Sequence, residues 1–203
     1  MLIKGIEVGN LETNCYIVTD EKTLNCAIID PGDESNTILD YIESNNLRPV
    51  AIMLTHAHFD HTGAAETIAE ELDIPVWMHE EEYDNSGKYD PYRYQGSHPE
   101  FYKEGDVIKV GELGILVIET PGHSLGSVTL MCGDAMFCGD TLFRDSCGRT
   151  DLPGGDTKQI LKSLKRLSRI TKDYEVYPGH GEYTTLDREK KFNPYVRYAN
   201  GEK

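Results

Sequence analysis

The sequence predicts an α/β protein in two similar halves, each made of a β-sheet with helices on its outer face. One observation is a series of short segments rich in Ile, Val and Tyr that end at Gly or Asn/Asp turns, as strands do. Another is the helical spacing of apolar residues between these segments. The third is the order of elements, since a strand-rich region, a helix, a strand and a helix occur twice. Because no Pro-, Ser- or Gly-rich linker interrupts the 203 residues, we predict one domain over residues 1–203.

The first half begins with three strands and then alternates helices with strands. Ile38, Leu39 and Ile42 lie on one side of a predicted short helix, and an Ala-rich stretch starting near Ala64 indicates a second helix. The predicted strands are residues 2–8, 14–19, 24–29, 50–54 and 75–78, and the predicted helices are residues 36–44 and about 64–72.

Residues from about 80 to 104 differ from the rest because five tyrosines occur there among few aliphatic residues. We predict an irregular insertion that is packed by its own tyrosines. A substrate lid is the functional alternative for the same segment. The tyrosines are Tyr83, Tyr89, Tyr92, Tyr94 and Tyr102.

The second half repeats the pattern of the first. Apolar residues at Ile160, Leu161, Leu164 and Leu167 follow helical spacing and predict a helix over residues 157–167. The tail, residues 188–198, is predicted to be a last helix or an ordered cap. The predicted strands are residues 106–110, 114–119, 127–131, 135–138 and 174–177.

Charge and cysteine content limit the classes of partner. The chain has 20 basic and 35 acidic residues, a formal net charge of −15, which opposes binding to nucleic acid. Five cysteines without CxxC spacing indicate reduced thiols. The N-terminus lacks the apolar core of a signal peptide, and no apolar run approaches the roughly 20 residues needed to span a bilayer. We therefore expect a cytoplasmic protein with neither a nucleic-acid nor a membrane partner.

The segment from residue 55 to residue 61 is the most informative part of the chain. It places His56, His58, Asp60 and His61 within six residues, directly after an apolar run that is predicted to be a strand. Three imidazoles and a carboxylate so close in sequence are not expected in an ordinary hydrophobic core or protein surface. Imidazole and carboxylate together suit zinc and some other first-row metals. A loop between a strand and a helix lets such side chains converge on a rigid scaffold.

Three further candidate ligands also follow predicted strands. His123 lies in Thr-Pro-Gly-His-Ser, Asp140 in Cys-Gly-Asp-Thr, and His180 in Pro-Gly-His-Gly. Adjacent glycines let the backbone turn tightly at these positions. His79 and His98 fall outside this pattern, and we expect His79 to be structural and His98 to face water.

Together these motifs resemble the metallo-β-lactamase fold superfamily, and within it the glyoxalase II group of hydrolases. The resemblance extends from Asn14-Cys15-Tyr16 to Asn193-Pro194, which is nearly the whole chain. It implies a four-layer αββα sandwich in which two mixed β-sheets carry helices on both outer faces.

The resemblance also implies a cofactor of two divalent metal ions, with zinc expected and iron or manganese as alternatives. The implied ligands of the first ion are His56, His58 and His123. Those of the second ion are Asp60, His61 and His180, and Asp140 would bridge the two. Asp60 and Asp140 are the implied catalytic residues, since a hydroxide held between the metals would attack the substrate.

The implied reaction is hydrolysis of a small-molecule hydroxyacyl thioester such as lactoylglutathione, by a monomer or homodimer. Larger glyoxalase II enzymes carry a helical C-terminal domain, whereas 23 residues follow His180 here, as in the short bacterial branch with its Cys-Gly-Arg-Thr-Asp-Leu-Pro-Gly-Gly-Asp run. Arg149 of this run is the candidate substrate-binding residue, because its planar guanidinium can bind a carboxylate. Equally, Arg149 can pair with Asp151 and brace the loop.

Several alternatives share the fold. Persulfide dioxygenases have a similar Cys-Gly-Arg-Thr-Asp run but use a single iron. Lactone hydrolases and nucleases also occur in this superfamily, although the net charge opposes a nuclease. A class B β-lactamase of the common subclass is disfavoured because Asp140 stands where that subclass would use cysteine. Outside enzymes, a non-catalytic metal-binding module is the alternative.

Overall fold

Two six-stranded β-sheets face each other in the structure, a computed structural model that describes residues 1–84 and 86–202. The first sheet has the order β1 (Leu2–Val8), β2 (Thr13–Thr19), β3 (Asn25–Ile29), β4 (Arg48–Met53), β5 (Val76–His79), β6 (Pro99–Tyr102). The second has the order β14 (Thr184–Thr185), β13 (Glu175–Pro178), β10 (Ala135–Gly139), β9 (Val128–Cys132), β8 (Leu113–Glu119), β7 (Val107–Val110). A small hairpin pairs β11 (Leu142–Phe143) with β12 (Ser146–Cys147).

Both sheets are mixed, as the resemblance implied. In the first sheet, β1 to β3 are antiparallel and β3 to β6 are parallel. In the second, β7 to β10 are antiparallel and β10 pairs in parallel with β13. Parallel neighbours need crossover connections, and helices supply several of them. The helices are α1 (Ser35–Ser44), α2 (Phe59–Thr62), α3 (Ala65–Leu72), α4 (Thr157–Ser168), α5 (Leu186–Phe192) and α6 (Pro194–Ala199).

Three apolar clusters define four layers. The central cluster lies between the sheets and includes Tyr16 and Phe137 from opposite sheets. A second cluster packs α1 and α3 against the outer face of the first sheet, through residues such as Ile38 and Ile68. A third packs α4 and α6 against the second sheet, through residues such as Leu164. The predicted α/β sandwich is therefore confirmed.

The structure differs from the sequence prediction at the end of the insertion. Residues Pro99–Tyr102 form β6, which pairs in parallel with the free edge of β5 instead of remaining irregular. Tyr102 is buried in the central cluster and donates a hydrogen bond to the carbonyl of Leu54. Tyr94 packs into the cluster beneath α3. The insertion is thus held by the domain core, because the open edge of β5 and the adjacent apolar surface offer better partners than its own tyrosines do.

The tail forms two helices rather than one. Asn193 separates α5 from α6, and its side chain accepts hydrogen bonds from the backbone N–H groups of Tyr195 and Val196. Pro194 follows at the first turn, where its missing N–H costs nothing. Throughout residues 1–84 and 86–202, no helix has the length and apolarity needed to cross a membrane.

Candidate metal centre

All seven predicted ligand residues lie together at one edge of the sandwich. They occupy the segments that follow β4, β8, β10 and β13, in which Asp60 and His61 lie on the single turn α2 and the other five lie on loops. The histidines of the first loop and His123 are buried, whereas Asp60, Asp140 and His180 are partly exposed toward a cavity. This arrangement agrees with the expectation that strand exits gather at a single site.

The first group is formed by three imidazoles, His56, His58 and His123, whose nitrogen atoms lie within 4.8 Å of one another. His58 Nδ1 is 2.9 Å from His123 Nε2. The Nε2 atoms of His56 and His58 are buried and have no hydrogen-bond partner among the residues that the structure describes. Because buried nitrogen atoms are rarely left unpaired, these atoms indicate a ligand that is not part of the polypeptide.

The second group is formed by Asp60, His61 and His180. His180 Nε2 lies 3.1 Å from Asp60 Oδ2, and His61 Nε2 lies 3.6 Å from the same oxygen. The two Nε2 atoms are 3.4 Å apart. One carboxylate oxygen and two imidazole nitrogens therefore face a common point.

Asp140 lies between the two groups. Its Oδ2 atom is 3.4 Å from His123 Nε2 and 3.7 Å from His180 Nε2, while Oδ1 is 3.4 Å from His61 Nε2. Oδ1 is buried and, within the described part of the chain, has no hydrogen-bond partner. The carboxylate thus faces members of both groups at once.

Asp30 contacts His61 at Nδ1, on the opposite side of the ring from the Nε2 atom that faces the second group. Its Oδ2 atom lies 3.0 Å from His61 Nδ1 and accepts a hydrogen bond of 2.6 Å from Thr55 Oγ1, while Oδ1 accepts one of 2.7 Å from the Thr55 backbone N–H. An ionised carboxylate only accepts hydrogen bonds, so His61 presents a proton at Nδ1 and a lone pair at Nε2 when it is neutral. Asp30 directly follows β3, as the other site residues follow their strands, and that position is the signal that sequence reasoning missed.

Backbone carbonyls orient two further rings. His123 Nδ1 lies 2.8 Å from the carbonyl oxygen of Arg149, and His180 Nδ1 lies 3.0 Å from that of Leu11. A carbonyl accepts but cannot donate, so the proton of each neutral ring is on Nδ1 and its Nε2 lone pair faces the site. Such outer contacts are the usual means of fixing a metal-binding histidine.

The residues present fit bound cations. In the second group, the Nε2 lone pairs of His61 and His180 and the anionic Oδ2 atom of Asp60 all converge on one region. Acceptors so arranged repel one another unless a proton or a metal cation lies among them. Borderline nitrogen and hard oxygen donors of this kind suit zinc, iron and manganese. The His and Asp clusters are therefore of metal-binding type, but they do not distinguish among these metals.

In the metal-free site, the pKa values of the histidines in the first group and of His61 in the second group are shifted in opposite directions. Burial and neighbouring imidazoles hold the pKa of His56 well below its ordinary value and lower the pKa of His58 to about 4. Burial also opposes charge on His61, but Asp140 and Asp30 raise the pKa of that ring well above 6.5. The first group consequently offers neutral imidazoles, whereas the second attracts a proton that a metal ion would have to displace.

Gly179 keeps the last loop close to the site. A Cβ atom at this position would lie 2.7 Å from His61 Cε1 and would also contact the carboxylate of Asp140. Asn14 secures the same loop, because its side-chain amide donates hydrogen bonds to the carbonyls of Pro178 and Gly181. The resemblance noted at Asn14 and at Pro-Gly-His-Gly thus concerns two segments that touch.

A cavity of about 610 Å³ opens onto the two groups. Tyr92 of the insertion forms part of its wall and packs edge-on against His58, with ring centroids 5.3 Å apart. Arg149 lies on the rim, where its guanidinium donates two hydrogen bonds to Asp151, of 2.8 and 2.7 Å. The pairing considered for Arg149 is therefore present, and the residue also borders the cavity. The apolar and aromatic lining residues are Leu11, Phe59, Tyr92, Phe143 and Leu152.

The two remaining histidines lie elsewhere. His79 Nδ1 accepts a hydrogen bond from the Glu81 backbone N–H, and its Nε2 is 3.4 Å from Glu119. His98 contacts Ser97 in the insertion. Neither belongs to the His/Asp groups found among the described residues. A second residue missed by sequence reasoning is Glu82, a buried carboxylate beside the site.

A four-layer sandwich with His and Asp clusters at its strand ends defines a protein of the metallo-hydrolase fold. The family model of the metallo-beta-lactamase superfamily matches residues 8–180, and the chain belongs to that superfamily. It is 36% identical over 206 residues to the probable metallo-hydrolase YqgX of Bacillus subtilis, covering 95% of this chain and 96% of that one. It is 30% identical over 217 residues to the hydroxyacylglutathione hydrolase GloC of Haemophilus influenzae, covering 97% and 98%.

Several solved structures share this fold. The BLEG-1 B3 metallo-beta-lactamase superposes with a TM-score of 0.87 at 32% identity, covering 96% of this chain and 99% of that one. TTHA1623 in a di-iron-bound form gives 0.81 at 38% identity, covering 95% and 99%. ETHE1 from Myxococcus xanthus gives 0.84 at 29% identity, covering 97% and 84%.

Proposed function

We propose that this protein is a metal-dependent thioester hydrolase that cleaves hydroxyacyl thioesters of the lactoylglutathione type. The observation that carries the proposal is the convergence of two His/Asp groups on Asp140 at the floor of a cavity large enough for a small molecule. We assign His56, His58 and His123 to one ion, Asp60, His61 and His180 to the other, and Asp140 to both. Two divalent ions held there would lower the pKa of water and polarise a carbonyl group.

We assign to Asp60 the role of acting on the attacking water. Its side chain borders the cavity, and its Oδ2 atom faces His180 Nε2 at 3.1 Å and Thr13 Oγ1 at 3.4 Å. Although burial alone would raise the pKa of Asp60, the contact with His180 lowers it, so the group is an anion at neutral pH. An anionic acceptor in this position orients a water molecule and receives its proton.

The cavity wall suits an acyl thioester. Phe59, Phe143 and Leu152 surround the approach to Asp140 with apolar surface, which packs against the acyl chain and excludes bulk water. A thiol has a pKa near 8.5, so its thiolate departs without a proton donor. Arg149 is assigned to a carboxylate of the thiol carrier, which would exchange with Asp151. Both of these side chains are largely exposed, so the exchange costs little.

Three comparisons bear on the proposal in different ways. Similarity to GloC over nearly the whole of both chains supports a hydroxyacylglutathione substrate. The likeness to BLEG-1 favours β-lactam hydrolysis as a second candidate, and the di-iron form of TTHA1623 makes iron a candidate metal beside zinc.

The decisive experiment measures metal per chain by elemental analysis on the same purified sample that is assayed with lactoylglutathione. We expect about two divalent ions and rapid hydrolysis. Asp140→Asn and His58→Ala should lose metal and activity together, whereas His98→Ala, a histidine outside the site, should lose neither.

Other outcomes would redirect the assignment. Full turnover by Asp140→Asn with two bound ions would reject this ligand layout. One iron per chain, slow hydrolysis and oxygen uptake with glutathione persulfide would identify a dioxygenase. Faster cleavage of a chromogenic cephalosporin than of the thioester would favour the β-lactamase.

A further inference from the structure

Glu82 is a buried carboxylate at the start of the insertion, in a short 3-10 helix after β5. Only 2% of its surface is exposed. Among the described residues, no Lys, Arg or His lies within ion-pair distance of it. Removing a carboxylate from water is costly unless hydrogen bonds replace the lost solvation, so its partners identify its role.

Those partners belong to two different metal loops. Glu82 Oε2 accepts a hydrogen bond of 2.8 Å from the backbone N–H of Ala57, which lies between His56 and His58. Oε1 accepts bonds of 2.7 Å from Ser124 Oγ and from the backbone N–H of Gly126. Ser124 directly follows His123 in the chain.

The approach of the carboxylate to the second loop depends on a missing side chain. A Cβ atom on Gly126 would lie 2.9 Å from Glu82 Cγ and 2.8 Å from His79 Nδ1. Ser124 is held in turn by Ser127, whose Oγ lies 2.6 Å from Ser124 Oγ and accepts a bond from the Ser124 backbone N–H. The loop of His123 is therefore shaped to receive the carboxylate of Glu82.

We infer that Glu82 is a positioning residue that ties the His56–His58 loop to the His123 loop and so fixes the three imidazoles of the first metal group. One carboxylate has two oxygens, and here each oxygen serves a different loop. The inference rests on the proposed metal site, but it requires nothing of the thioester chemistry. It also gives the insertion a function, because Glu82 belongs to the segment that begins at Glu80 and contacts both metal loops.

The test compares Glu82→Gln with Glu66→Gln in the full-length, metal-free protein titrated with zinc against a chromophoric chelator. A glutamine keeps the shape of Glu82 but puts an NH₂ group opposite Ala57 N–H or Gly126 N–H, so one loop loses its acceptor. Loss of an outer contact of this kind lowers metal affinity by roughly ten- to a hundredfold. We expect that loss for the zinc ion assigned to His56, His58 and His123, with a weakened cobalt(II) absorption spectrum of the tetrahedral type.

Glu66→Gln is the matched control. Glu66 also attaches the insertion, accepting bonds from Tyr94 and Ser97, and among the described residues it has no hydrogen bond to either metal loop. The zinc affinity of the Glu66→Gln protein should stay within about twofold of wild type. Equal losses in the two variants would mean that zinc affinity reflects general attachment of the insertion, which would overturn the inference.

A folded Glu82→Gln protein with unchanged zinc affinity would also overturn the inference, while leaving the proposed function intact if wild type still binds two ions. Failure of wild type to bind zinc, iron or manganese would overturn both. If Glu82→Gln does not fold, Ser124→Ala takes its place, because it removes one of the three hydrogen bonds that Glu82 accepts. Ser124→Ala should weaken zinc binding severalfold. Unchanged zinc binding would contradict the positioning role of Glu82.

Discussion

Asp30→Asn tests whether tautomer control at His61 governs metal binding. The carboxylate of Asp30 is buried and serves three donors, the backbone N–H and hydroxyl of Thr55 and Nδ1–H of His61. An asparagine must place its NH₂ group at one of the two oxygen positions. There it faces either His61 Nδ1–H or Thr55 N–H, and one buried donor is left unpaired.

The structure sets the expected size of the effect. A buried donor without an acceptor costs about 1–3 kcal/mol, which corresponds to roughly a fivefold to 150-fold loss of affinity. Alternatively, His61 changes tautomer and accepts from the amide, which puts a proton on Nε2 where the lone pair should face the metal. When the amide NH₂ faces His61, both routes act on the group of Asp60, His61 and His180, so the second zinc should be weakened more than the first.

The assay is a competition titration with zinc that resolves the two binding steps, accompanied by circular dichroism of the metal-free protein. Asp33→Asn is the matched control, because Asp33 lies on the same loop and its carboxylate accepts from the backbone N–H of Glu34. The reasoning would be refuted if folded Asp30→Asn bound both zinc ions as tightly as the Asp33 variant does. Equal weakening of both steps would also contradict it.

Two further predictions concern acidity and the cavity rim. Burial opposes charge on His61 and His180, but Asp140 with Asp30 raises the pKa of His61, and Asp60 raises that of His180. Zinc must displace these protons, so its affinity should fall, by up to about tenfold per pH unit for each proton, as the pH drops through the raised pKa values. Calorimetry in buffers of different ionisation enthalpy would count the protons released, and a count of zero would contradict the prediction. Arg149→Gln should raise KM about twofold to fivefold for a carboxylate-bearing thioester with little change in kcat, and should leave an uncharged thioester unaffected.

Much of the architecture followed from local patterns in the sequence. The strand predicted at residues 2–8 is β1, and the helix predicted at residues 157–167 is α4 within one residue. The helix predicted at about residues 64–72 is α3 within one residue, and a separate single turn, α2, precedes it and carries Asp60 and His61. Strand and helix periodicities depend on neighbouring residues, so they can be seen in the sequence without a structure.

The pairing of β6 with β5 was not predictable in the same way. Its four residues, Pro-Glu-Phe-Tyr, have no clear alternation and follow an irregular segment. They become a strand because β5 has an open edge in the folded sheet, and an edge is a property of the sheet. The short strands β11, β12 and β14 were missed for the same reason, since each has two residues and exists only through its partner.

The sequence by itself determined which side chains are brought to the centre, because His and Asp residues stand at strand exits and the strands could be recognised locally. Only the tertiary structure decided how those side chains are held. Asp30 reaches His61 across 31 positions, and Glu82 reaches the loops of His58 and His123 across 25 and 42 positions. It also decided that Arg149 is paired with Asp151 at the rim of the cavity. Hydrogen bonds between distant segments depend on the packing of both sheets, and no local pattern records them.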